Sequence, residues 1–116
     1  MIFPINASIW MYPEPIDFRK QIDSLVILVA SHLELDPVSG QLFLFRDRSM
    51  RKIKILWWER TGFWLMYKRL EKGRFKFPKD RQGKIEITAD QLSWLLSGLD
   101  CFEHHLLPEI KSSNYY

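Results

Sequence analysis

Apolar positions along this chain change period several times, and each change marks an element. The opening "INASIWMYP" reads as a short strand that Pro13 and Pro15 bring to an end. In "IDFRKQIDSLVILVASHLEL" the apolar positions are Phe18, Ile22, Leu25, Val26, Val29 and Leu33. That spacing predicts an amphipathic helix over about 17–34, with Asp17 as its N-cap. His32 falls beside the apolar stripe and reads as a boundary residue. "DPVSG" at 36–40 stops the helix. "QLFLF" (41–45) is a short strand, "RDRSMR" a loop, and "KIKILWWERTGFWLMYKR" (52–69) two strands around a turn. After the basic connection "LEKGRFKFPKDRQG", "KIEIT" (84–88) alternates like a further strand. "TADQ" (88–91) matches a capping box and opens a second helix over about 89–98, with Leu92, Leu95, Leu96 and Leu99 on one face. The predicted class is α+β: an antiparallel sheet of about five short strands with a long N-terminal and a shorter C-terminal helix. One domain over 1–110 and a frayed tail at 111–116 complete the expectation.

Strand side chains alternate faces, so the turn decides which residues of the hairpin travel together. A three-residue loop, Arg60-Thr61-Gly62, would hold the glycine in a left-handed conformation. It would set Trp57 opposite Leu65 and Trp58 opposite Trp64. One face then reads Ile53, Ile55, Trp57, Phe63, Leu65 and Tyr67, and belongs to the core. The other reads Lys52, Lys54, Leu56, Trp58, Trp64, Met66 and Lys68, aromatic at the turn and basic at the far end. A four-residue loop would instead bring Trp57 together with Trp64. The three-residue register is the expectation, because burying three lysines without partners is costly.

Composition adds a field to this picture. The 116 residues suit one domain, and the net charge is only +3. Between Arg46 and Arg81, however, thirteen Lys/Arg face four Asp/Glu, whereas the rest of the chain has four against ten. Such lopsided charge attracts polyanions, although a merely solvated basic surface would look the same. The longest wholly apolar stretch, Leu25 to Ala30, is too short to span a bilayer. "MIFPINASIW" lacks the pattern of a secretory signal, and the single Cys101 fits a reducing cytoplasm.

Chemistry is harder to place. "EHH" at 103–105 beside Cys101 fits no standard zinc spacing, and the acids are too scattered to hold paired metal ions. No phosphate-binding glycine loop and no activated nucleophile stand out. Asp17 and Arg19 read as an ion pair fixing the first helix. Neither an enzyme nor a cofactor is expected.

Four segments, "DFRKQIDSL", "DPVSGQLFLFRDR", "KIKILWWERTGFWLMYKRLEKGRFKFP" and "ITADQLSWLLSGLD", together resemble one family. It is the second open-reading-frame product, TnpB, the small accessory protein of bacterial insertion sequences of family sixty-six. The resemblance runs from about residue 9 to 100. Three positions depart from it: Gln21 stands where a small residue is expected, Glu59 where aspartate is, and Phe77 where tryptophan is. It implies a role in transposition beside a separate transposase, and it carries over no catalytic residue.

The expected function is therefore a cytoplasmic, non-catalytic transposition accessory protein that binds DNA at the element ends. Phosphate contacts are expected from Arg46, Arg48, Arg51, Lys52, Lys54, Lys68, Arg69, Lys72, Arg74 and Lys76. Trp58, Trp64 and Met66 are the candidate stacking or partner face, since aromatics interleaved with cations suit single strands. The alternative is a module that assembles or regulates the transposase without touching DNA. Homodimerisation through the same face stays open.

Overall fold

The computed structural model describes residues 6–77 and 83–98. A five-stranded sheet runs in the order β4-β3-β2-β1-β5. The strands are β1 (Ile9–Met11), β2 (Leu42–Arg46), β3 (Lys52–Glu59), β4 (Gly62–Arg69) and β5 (Ile85–Ile87). Helix α1 spans Ile22–Leu28 and continues into a wider π-helical turn, Val29–Leu33; helix α2 spans Ala89–Leu96. The class is α+β, but the sheet is mixed, because β1 and β2 are parallel. A helix separates those two strands in sequence, and that crossover returns the chain in the same direction.

Both faces of the sheet are covered. On one side Leu25, Val29 and Leu33 pack with Tyr12, Phe43, Phe45 and Leu56. On the other, Leu92 and Leu95 of α2 and Phe75 pack with Ile9, Met11, Leu42, Leu44, Ile53, Ile55, Trp57 and Ile87. This explains why "LFLF" is apolar without alternation: a strand with both faces buried has no solvent side to mark. The two helix C-termini are tied down by one lysine just before β5 and one on β4. Lys84 Nζ donates to the Leu33 carbonyl at 3.0 Å, and Lys68 Nζ to the Leu96 carbonyl at 2.8 Å. Cations belong there, where helix carbonyls lack partners. At its other end α2 carries the expected capping box, with Thr88 Oγ1 accepting from the Gln91 amide and Gln91 Oε1 from the Thr88 amide.

The first helix is shorter than its apolar period suggests. Residues 17–20 form a separate turn in which Lys20 N–H bonds the Asp17 carbonyl at 3.0 Å. Asp17 does not cap α1. Its carboxylate accepts the Arg19 amide at 2.8 Å and pairs with the Arg19 guanidinium at 2.6 Å, so the expected ion pair fixes the approach to the helix. Gln21 occupies the N-cap, and the first helical bond runs from Leu25 N–H to the Gln21 carbonyl. The Phe18 and Lys20 carbonyls, which a helix from residue 17 would have used internally, both accept from Lys54 Nζ at 2.8 Å.

The hairpin register also differs from expectation. Trp57 lies opposite Trp64, Trp58 opposite Phe63 and Glu59 opposite Gly62, leaving a two-residue Arg60-Thr61 connection. Arg60, not Gly62, takes the left-handed conformation (φ 51°), and the Thr61 amide turns back to the Glu59 carbonyl. This parity is the one a four-residue loop would have given. One hairpin face is therefore Ile53, Ile55 and Trp57 with Trp64, Met66 and Lys68, under α2. The other is Lys52, Lys54, Leu56 and Trp58 with Phe63, Leu65, Tyr67 and Arg69, toward α1. Trp57 is a core residue, as its pattern indicated. The objection to burying lysines fails at Lys54, which is buried at 3% exposure but supplied with two carbonyls and with the faces of Phe18 (4.9 Å) and Tyr67 (5.9 Å).

Candidate nucleic-acid interface

The ten candidate phosphate-contacting cations between 46 and 76, Arg60 at the hairpin turn not being among them, divide by what the fold does with each. Lys54 and Lys68 have their ammonium groups on backbone carbonyls, so both act within the fold. Burial pushes the Lys54 pKa below its ordinary value, opposed by the nearby Asp17 carboxylate. Arg46 is half-buried, its guanidinium 5.3 Å from the centre of the Phe77 ring; burial lowers its pKa too. Phe77, at a position where the resembled family leads one to expect tryptophan, thus still offers an aromatic face. The remaining seven, Arg48, Arg51, Lys52, Arg69, Lys72, Arg74 and Lys76, lie at the end of the sheet away from the Arg60-Thr61 turn. All but the half-buried Lys52 are exposed.

Four of those seven converge. Arg51, Lys52, Arg69 and Arg74, with Ser49, Leu70 and Glu71, line a pocket of about 400 Å³. Two turns build it, one leading into β3 and one leaving β4. Asp47 shapes the first by accepting the Arg51 and Lys52 amides on Oδ1 at 3.1 Å each. Against the effect of burial, the Ser49 hydroxyl on its Oδ2 and then these two amides hold its pKa down. The second is fastened to the first by Leu70 N–H to the Arg51 carbonyl (2.8 Å) and Phe75 N–H to the Met50 carbonyl (2.7 Å). Phe75, only 1% exposed, anchors the strand of chain that carries Arg74. Within the pocket Arg69 Nε donates to Glu71 Oε2 at 2.9 Å, which raises the Arg69 pKa. Ser49, Leu70 and Glu71 were not singled out in the sequence; Glu71, two residues beyond Arg69 among cations, was the available signal.

The three aromatic-face candidates are not brought together. Trp58 is half-buried on the α1 side, edge-on to Phe63 with ring centres 4.9 Å apart. Met66 packs, partly buried, on the α2 side. Trp64 is on that same side but 46% exposed, its indole N–H donating to Glu59 Oε1 at 2.8 Å. Along the same outer strand Tyr67 is 52% exposed toward the opposite face.

Among the described residues, no group of three His, Cys, Asp or Glu side chains could hold a metal ion, and no helix is long and apolar enough to cross a membrane. Cys101, His104 and His105, with Leu99, Lys79, Arg81 and the 111–116 tail, lie outside the described residues.

Fold and site define a small mixed-sheet protein with helices on both faces and a cation-lined pocket between two turns. The profile of the IS66 Orf2 like protein family matches residues 7–105, and the chain belongs to that family, the insertion-sequence accessory proteins its motifs resemble. Two relatives come from Sinorhizobium fredii, both uncharacterized proteins. With y4hO it is 41% identical over 95 residues, 82% of this chain and 83% of the relative. With y4jC it is 36% identical over 101 residues, 86% of each. No solved structure matches this chain.

Proposed function

We propose that this accessory protein is non-catalytic and binds DNA at the ends of its element through the pocket-bearing end of the sheet. The observation that carries the reading is the gathering of Arg51, Lys52, Arg69 and Arg74, up to 23 positions apart in sequence, around one opening. Cations whose backbone positions are set by paired strands and hydrogen-bonded turns neutralise phosphates without the chain ordering first, so less of the attraction is lost to entropy. If those four each neutralise one phosphate, log K for duplex falls by roughly 3.6 per decade of salt. Fluorescence anisotropy with duplex and single-stranded element ends, repeated across salt, measures that slope. Absence of binding even below about 100 mM salt, where screening is weak, refutes the reading. Arg51, Lys52, Arg69 and Arg74 are the positions to neutralise; Lys54 and Lys68 are not, because their loss disturbs the fold.

A second reading has its own observation: Trp64 and Tyr67 are exposed on β4, an outer strand with no further strand paired to it among the described residues. Such an edge suits an added partner strand, and the cognate transposase is the partner this reading takes. A pull-down that survives about 0.5 M salt, where charges are screened within a few ångströms, and fails in Trp64→Ala favours it over DNA binding.

A further inference from the structure

Lys52 and Arg69 face each other directly across β3 and β4. Like charges in that position weaken a sheet, and the turns add Arg51 and Arg74 to the same opening. No salt bridge from the described residues reaches Arg51, Lys52 or Arg74. The only carboxylate in the lining is Glu71, held by a single contact to Arg69 with both side chains largely exposed, 74% and 61%. Asp47, behind the lining, attracts Lys52 but is taken up by the Ser49 hydroxyl and the Arg51 and Lys52 amides. An arrangement of four cations against one loosely held carboxylate in the opening therefore remains incomplete as an ion-pair cluster. It has the chemistry of an oxyanion seat with a weak internal occupant.

We infer that this pocket seats a phosphate group and that Glu71 is a built-in competitor which the phosphate displaces from Arg69. The guanidinium forks of Arg51, Arg69 and Arg74 match phosphate oxygens in a way point charges do not. An exposed pair such as Arg69–Glu71 contributes little, so its displacement does not block entry. The volume of about 400 Å³ exceeds one phosphate and accommodates the adjoining sugar of a strand. The inference deepens the DNA-binding reading and rests on it for the source of the phosphate. The site itself would equally take free phosphate.

The test separates a local competitor from general electrostatics. Glu71→Gln and Glu86→Gln remove the same charge, but Glu86 sits on β5 at the other edge of the sheet. Glu71→Gln is expected to tighten duplex binding about 2- to 5-fold, with Glu86→Gln changing it little. Likewise Arg51→Gln/Arg74→Gln should remove roughly 1.8 from the salt slope. Arg48→Gln/Lys76→Gln, equal in charge but outside the lining, should remove less. Equal effects within each pair overturn the inference while leaving DNA binding standing. Titration with inorganic phosphate, followed by the Arg69 Nε–H resonance, covers the converse. A saturating shift that Glu71→Gln strengthens, in a protein that binds no oligonucleotide, upholds the pocket and removes the DNA reading. No shift at millimolar phosphate, with no Glu71 effect on duplex, overturns the pocket.

Discussion

Replacing Lys54 with methionine removes the ammonium and keeps an unbranched stem in the same space. Two bonds are lost, to the Phe18 and Lys20 carbonyls, each 2.8 Å long. Hydrogen bonds to a charged group contribute about 1.5–3 kcal/mol each, so the gross loss is roughly 3–6 kcal/mol. Two effects reduce it. The methionine avoids the desolvation that lowers the Lys54 pKa, and water can reach a carbonyl of the exposed Lys20. A net loss of about 2–4 kcal/mol remains. Urea unfolding followed by tryptophan fluorescence reads this directly; with a mid-range slope of about 2 kcal/mol/M, the midpoint falls by roughly 1–2 M. Hydrogen exchange should also quicken at the Leu25 amide, whose acceptor, Gln21, follows the turn that Lys54 holds. A variant within about 0.5 kcal/mol of the parent, the range of ordinary surface changes, would refute the claim that this lysine fastens the 17–20 turn to the sheet.

Three further outcomes follow from the same structure. Thr88→Ala removes half of the capping box and should lower stability by about 1 kcal/mol in thermal melts, with Gln91→Ala adding little more once the box is broken. The Asp17 carboxyl, held at about 2 by hydrogen bonds from Arg19, should titrate near that value by carbon NMR and move back toward 3.8 in Arg19→Met. Because the folded value is lowered, the stabilisation is present above about 4 and disappears as pH falls toward 2. Phe75→Ala should lower stability by about 3–5 kcal/mol in urea titrations, since that ring is fully packed against the α2 side of the sheet.

Much of the architecture was legible because it depends on neighbours in sequence. Period-two and period-3.6 runs mark strands and helices wherever one face is buried, and the Thr88–Gln91 box is complete within four residues. The family resemblance, spread over most of the chain, likewise needed only order and spacing. Asp17 shows where local reading fails. An aspartate before an apolar stripe suits an N-cap, but here its partner is Arg19, and the next carbonyls are taken by a lysine more than thirty positions away.

By itself, the sequence determined the number and kind of elements, the core role of Trp57, the capping of α2 and the concentration of positive charge between 46 and 81. Tertiary structure decided the hairpin register, the parallel β1–β2 pair and the division of the cations into fastenings and a pocket. The reason is that alternation assigns residues to a strand's two sides without saying what covers either side. Here helices cover both, so Lys54 could be buried where carbonyls meet it, Trp58 and Trp64 parted to opposite faces, and two cations from paired strands met two from the adjoining turns at one opening.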